Sequence, residues 1–355
     1  MATTHTTTIL PSRNRATSAW PGWLLTVPLM LTLLALFMTA CGVTTPGPGA
    51  DATPTATPAN TVKVFFARHP DTDNTPTAVY AVLRATTATN SFDKATFALQ
   101  EMLKGPTLDE RNQNYYSPFD GALALQSFCS GPFRDFDLTL NHRGKTLEDG
   151  TATMQFCRRV DLAGDLTGPR MAAMITSTLT QFAEIKKVVI LTYQGNCFAD
   201  LRGANVCLTG ETNGYPVKVY FSKHPDSDNL PRMVFAVNRV SPTLGVATYA
   251  IGQLIAGPTS DEKAQGYYTP LVGALSGVST CNGADFKITL NWNRTHSETN
   301  TATLQFCRTM PGFGDTGAIV VRNEIASTLM QFPTIKQVVI VYKDGSCFDD
   351  LIGCN

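Results

Sequence analysis

The stretch Ala95 to Glu110, Ala-Thr-Phe-Ala-Leu-Gln-Glu-Met-Leu-Lys-Gly-Pro-Thr-Leu-Asp-Glu, recurs 152 positions later as Ala247 to Glu262. Two copies predict two like domains. In the first copy Ala95, Ala98, Leu99, Met102 and Leu103 fall on one apolar stripe of an α-helix, and Ala247, Ala250, Ile251, Leu254 and Ile255 keep that stripe in the second. Gly105-Pro106 and Gly257-Pro258 stop the helices. Glycine accepts a left-handed C-terminal cap, and proline cannot continue the ladder. Both copies go on with Thr-x-Asp-Glu and then Tyr-Tyr-Ser/Thr-Pro, at Tyr115 to Pro118 and Tyr267 to Pro270.

Around each helix the sequence predicts short strands. Val62 to Ala67 alternates Val62, Val64 and Phe66 onto one face, and Val79 to Ala85 reads as the next strand. Leu123 to Phe128, Phe136 to Asn141 and Thr151 to Arg158 follow, the last two joined by a loop holding Gly144 and Gly150. Gly168-Pro169 opens a second helix with Met171, Met174, Ile175, Thr178, Leu179 and Phe182 on one face. It leads into Lys187 to Tyr193, an apolar strand expected at the centre of the sheet. The second half repeats this: Val217 to Phe221 echoes Val62 to Phe66, and Phe286 to Asn291 echoes Phe136 to Asn141. The expected fold class is α+β, with two tandem homologous domains, each a mixed β-sheet with two helices packed on it. Their limits are 61–203 and 217–355, joined by a linker at 204–216 short enough for the domains to touch.

These residues resemble the GerMN domain of sporulation and spore-germination proteins, found in bacterial envelope lipoproteins. The resemblance rests on the helix ending in Gly-Pro-Thr-x-x-Glu, the strand Val62-Lys-Val-Phe-Phe, and Thr178-Leu-x-Gln-Phe182 leading into Val188-Val-Ile190. It covers Thr61 to Gly203 and Val217 to Gly353. It implies a ligand-binding or interaction module without an assigned reaction.

Residues 1–41 read as a lipoprotein signal peptide. Arg13 and Arg15 precede an apolar run from Trp23 to Phe37, which ends in the lipobox-like Met38-Thr39-Ala40-Cys41. The run is about 15 residues against the roughly 20 that span a bilayer. Cleavage before Cys41 and its acylation, with palmitate among the attached chains, would anchor the protein to the extracytoplasmic face of the cell membrane. Residues 42–60, rich in Thr and Pro, read as a disordered tether reaching up to roughly 55 Å.

Eight further cysteines divide four and four between the repeats, which in an exported chain reads as disulfides. Four cysteines allow three pairings. The favoured one joins Cys129 with Cys157 across a hairpin and Cys197 with Cys207 around a short loop, then Cys281 with Cys307 and Cys347 with Cys354. No Cys-x-x-Cys occurs, so a zinc site and other metal sites are not expected.

Lys+Arg and Asp+Glu are equal at 28, with no basic run past residue 41, so no nucleic-acid partner is expected. The most polar shared motif is His-Pro-Asp-Thr/Ser-Asp-Asn. It supplies the candidate binding residues His69, Asp71 and Asp73, then His224, Asp226 and Asp228. Its oxygens resemble the opening of a calcium loop, but Pro76 and Val82 stand where that loop needs glycine and glutamate. The favoured reading is a turn whose aspartates accept backbone N–H groups. Tyr115, Tyr116, Tyr267 and Tyr268 are the other candidates, as platforms for a sugar ring or peptide or as rim packing.

No catalytic motif is present, neither Gly-x-Ser-x-Gly nor His-Glu-x-x-His. Glu101 and the Asp109-Glu110 pair are the nearest approach to a two-carboxylate hydrolase. The chain is therefore expected to be a non-enzymatic, cofactor-free lipoprotein that binds an envelope protein or peptidoglycan, linked to sporulation or germination. The alternatives are a cell-wall hydrolase, an accessory factor of one, or a spacer that only positions something else.

Overall fold

Alternation in Val62-Lys-Val-Phe-Phe turns Val62, Val64 and Phe66 into the interior of the first module, each under 3 % exposed. They lie on strand β1 (Thr61–Arg68), which pairs antiparallel with β2 (Tyr80–Ala85), Val64 opposite Val82. These facts come from a computed structural model, which describes residues 60–130, 135–210 and 214–348. The expected signal peptide with Cys41, all of the tether but Asn60, and Cys354 lie outside the described residues.

Helix α1 (Ser91–Lys104) starts where the Asn90 side chain accepts the N–H of Asp93, and it buries Ala95, Ala98, Leu99 and Met102. Gly105 ends it at φ 85° and ψ 178°, so the expected left-handed cap is absent. The positive φ still requires glycine, and the extended ψ turns the chain straight into Pro106. A short helix α2 (Leu108–Asn112) follows, which buries none of its residues and so lacks an apolar stripe. Thr107 and Glu110 form a reciprocal capping box at its start.

The chain continues through β3 (Tyr115–Tyr116), β4 (Leu123–Ala124), β5 (Phe136–Arg143), β6 (Thr146–Phe156) and β7 (Arg159–Val160) to α3 (Thr167–Leu179) and β8 (Lys187–Leu191). The α+β class holds, but the strands divide into small sheets ordered β2-β1-β3, β5-β6-β8 and β4-β7. Side chains at the end of α3 help to divide them. The Lys63 N–H donates to Gln181 Oε1 at 2.7 Å and the Phe65 N–H to Thr178 Oγ1 at 3.2 Å. Gln181 also returns a bond to the Lys63 carbonyl, so helix side chains satisfy a β1 edge that another strand would otherwise bond. The central strand is β6, antiparallel to β5 and parallel to β8. β8, expected at the centre, lies at the edge, where the chain returns to bond it: the Phe198 N–H donates to the Ile190 carbonyl at 2.9 Å.

The second module repeats these elements: β9 (Tyr215–Lys223), β10 (Phe235–Ser241), α4 (Val246–Ala256), α5 (Ser260–Ala264), β11 (Tyr267–Tyr268), β12 (Phe286–Asn293), β13 (His296–Phe306), α6 (Gly314–Met330) and β14 (Gln337–Val341). Gln331 and Thr328 bond Lys218 and Tyr220 as Gln181 and Thr178 bond Lys63 and Phe65. Each module has its own core, one around Phe66, Phe156 and Met174, the other around Phe221, Phe306 and Ile325. Disulfides join Cys129 to Cys157, Cys197 to Cys207 and Cys281 to Cys307. Cys347 is also disulfide-bonded.

The modules meet along a seam. The Leu290 N–H donates to the Ala163 carbonyl at 3.3 Å, and Gly164 bridges to Thr289. A Cβ on Gly164 would lie 2.9 Å from the Ile288 carbonyl oxygen, so only glycine permits this approach.

Candidate functional site

His69, Asp73 and Tyr116 come together at the seam because β3 pairs with the end of β1, with Ala67 opposite Tyr116. The imidazole of His69 stacks on the Tyr116 ring with centroids 4.0 Å apart and planes 12° apart. Its Nδ1 lies 2.6 Å from Asp73 Oδ1. Burial raises the Tyr116 phenol above its ordinary pKa, and neighbouring Asp73 adds to the rise while Arg170 opposes it. Arg170, in the first turn of α3, donates to the carbonyls of Thr72 and Asp73 at 3.0 Å, and its guanidinium carbon lies 5.7 Å from the Tyr116 centroid.

The turn itself is tied differently from expectation. The Arg68 N–H donates to Thr72 Oγ1 at 3.0 Å, and that hydroxyl, fully buried, donates to the Ala78 carbonyl at 2.6 Å. The hydroxyl suits this place because it both accepts and donates. The aspartates face side chains instead. Asp71 takes both the Nε and Nη2 hydrogens of Arg68, which holds its carboxyl below the usual range. Asp71 and Asp73 are thus directed to separate partners, not converged as in a calcium loop.

The second module contributes the facing wall. Asn282 Nδ2 donates to Asp73 Oδ2 at 2.7 Å, and Asn74 donates to the Asn282 carbonyl. Between the modules lies a cleft of about 580 Å³, lined by His69, Asp73, Tyr116, Arg170, Thr248 and Lys287 among others. An aromatic stack, a carboxylate and two cations on facing walls suit a ligand with a flat or apolar face and polar edges. Tyr115 stands outside this group, its ring beneath Arg68.

The second copy of the motif keeps the same internal geometry. His224 Nδ1 lies 2.6 Å from Asp228 Oδ1, and the imidazole stacks on Tyr268 at 4.2 Å. Ser227 takes the role of Thr72, and Lys223 lies over Tyr267. Asp226 and Asp228 are exposed. Asp228 has 43 % of its side chain exposed against 11 % for Asp73, because the seam covers only the first copy.

Two buried carboxyls were missed in the sequence. Asp165 accepts the Thr248 N–H at 2.7 Å, its pKa pushed up to about 6 by burial, against the opposing bonds from Thr248 and Ala247. Glu324 lies in the core of the second module, where Ser222 N and Thr269 Oγ1 donate to it at 2.9 and 2.6 Å, and burial pushes it up to about 7. A signal for it existed: Val320, Val321, Glu324, Ile325, Thr328 and Leu329 form one buried stripe, with the acid inside it.

Of the candidate hydrolase carboxylates Glu101, Asp109 and Glu110, the first and last face Arg84. Glu110 makes two bonds to it at 2.6 and 2.7 Å, and Glu101 lies 3.6 Å away. Cys129, Asp137 and Cys157 are the one grouping among the described residues close enough to hold a metal ion, and both sulfurs are in a disulfide.

Residues 63–194 match the family described as Germane: Sporulation and spore germination. Among solved structures, the tandem GerMN domains of the sporulation protein GerM from Bacillus subtilis match at 15 % identity and a TM-score of 0.22, covering 82 % of this chain and 96 % of that one. No curated protein matches the sequence.

Proposed function

We propose that this chain, whose first module is a domain of the sporulation and spore germination family, is a lipid-anchored envelope protein that binds a protein or a peptidoglycan component without catalysing a reaction. The observation that carries this reading is the seam cleft. There the first copy of the His-Pro-Asp-x-Asp-Asn motif, His69 to Asn74, faces the second module, so the ligand wall is complete only with both modules in place. Anchoring is supported by the apolar run before Cys41 and by the even cysteine set. No helix among the described residues is long and apolar enough to cross a membrane. A role other than hydrolysis is supported by Arg84, which keeps Glu101 and Glu110 in structural ion pairs.

Incubating the purified chain with isolated peptidoglycan, and separately with solubilised envelope proteins, tests the proposal. Retention without released muropeptides, weakened on the order of tenfold by Arg170→Ala, is the expected outcome. Release of muropeptides supports the hydrolase alternative, and absence of any retention supports a spacer.

A further inference from the structure

A second groove along the seam, about 770 Å³, is lined by Asp120, Arg159 and Asp161 of the first module and by Trp292, Thr299 and Asn300 of the second. We propose that it binds a neutral oligosaccharide, with the Trp292 indole stacked on one pyranose ring. The inference rests on the envelope-binding reading above and supplies a ligand class and a site of its own.

Trp292 is placed by backbone. Ile288 and Leu290 on the same strand face the core at 6 % and 8 % exposure, and then the register with β13 shifts between Leu290 and Trp292. Asn291 carries the shift at φ 54°, and Trp292 emerges 38 % exposed, opposite the small Ser297. Bulges of this kind re-aim a side chain. The first module has the same irregularity at Asn141, φ 58°, but follows it with His142, whose Nδ1 is bonded to the Leu140 carbonyl. The fold therefore does not require an indole here.

The rest of the groove matches sugar chemistry. An indole face takes the C–H face of a pyranose, and planar amide, carboxylate and guanidinium groups reach its hydroxyls. The charges are paired within their own wall: Arg159 Nε lies 2.8 Å from Asp161 Oδ1, and Arg111 lies 3.6 Å from Asp120. A wall of paired charges favours a neutral glycan over a polyanion.

The sequence holds 3 tryptophans, and cleavage before Cys41 removes Trp20 and Trp23, so Trp292 is the sole indole emitter of the anchored chain. Chitotetraose and cellotetraose are the probes, titrated in detergent. The expected result is a saturable change in emission with protection from acrylamide for at least one of them. In calorimetry, binding weakens on the order of tenfold or more in Trp292→Ala and is partly kept in Trp292→Phe. Unchanged emission with both sugars at millimolar concentration, or equal affinity in Trp292→Ala, overturns the proposal. If Trp292→Ala is still retained on peptidoglycan as strongly as the parent chain, this site fails while the envelope-binding reading stands.

Discussion

Asp165 of the first module caps helix α4 of the second: its Oδ2 accepts the Thr248 backbone N–H at 2.7 Å. Gly245, at the N-cap of that helix, offers no side chain of its own, so the cap comes from across the seam. The carboxyl is 4 % exposed, and its second oxygen has no hydrogen-bond partner.

Burial raises the Asp165 pKa from 3.8 to about 6, so the folded chain binds the proton more tightly than the unfolded one. Its contribution is complete below pH 4 and is lost as pH rises through 6, a change on the order of 3 kcal/mol. Denaturant unfolding between pH 4 and pH 7.5 will show this decline in the parent chain and a flatter profile in Asp165→Asn. At pH 4 Asp165→Ala will cost about 1 kcal/mol through loss of the cap. A parent profile that rises over this range would contradict the assignment.

Glu324 has the same sign and a higher window. Its pKa, raised from 4.5 to about 7 by burial, makes the protonated acid the favoured form in the folded core. Carboxyl-carbon NMR of the native chain will show one glutamate titrating near pH 7, absent in Glu324→Gln. Stability of that variant will fall less between pH 5 and pH 7 than stability of the parent.

The Arg84–Glu110 and Arg239–Glu262 pairs fasten the short capped helices to β2 and β10. Each makes two bonds of 2.6 to 2.7 Å with side chains 14 % exposed. A double-mutant cycle on Arg239 and Glu262 will return a coupling of about 1 to 2 kcal/mol, above that of an exposed pair.

Replacing Cys281 and Cys307 by serine releases a loop with a sequence separation of 26. Loss of stability of about 3 kcal/mol is expected, measured by calorimetric melting. Reducing agent will lower the melting temperature of the parent chain and leave this bridge's contribution at zero in the variant.

Much of the architecture was legible because periodicity is a local property. The stripe Ala95, Ala98, Leu99, Met102 and the alternation Val62, Val64, Phe66 specify their elements without distant information. The short helices were legible too, since Thr107 and Glu110 are a capping-box signature. Neither helix buries a residue, so no apolar stripe marks them. Strand order was not legible. Lys187 to Leu191 is apolar enough for a central strand, and its edge position follows from the chain returning at Phe198. At the site, the motif His69 to Asn74 was visible by its duplication, and the pairing of His69 with Tyr116 was not, because it depends on the register between β1 and β3. Asp165 and Glu324 needed the seam and the core in three dimensions.

The most direct test of the seam cleft as the binding site is cosedimentation of the intact chain with isolated peptidoglycan and, in parallel, pull-down of solubilised envelope proteins. Parent, Arg170→Ala and His69→Ala chains would be compared, with His224→Ala as the control on the exposed copy of the motif. Retention of the parent and of His224→Ala, with loss on the order of tenfold in the other two, is the predicted result. Equal retention of all four chains would contradict it.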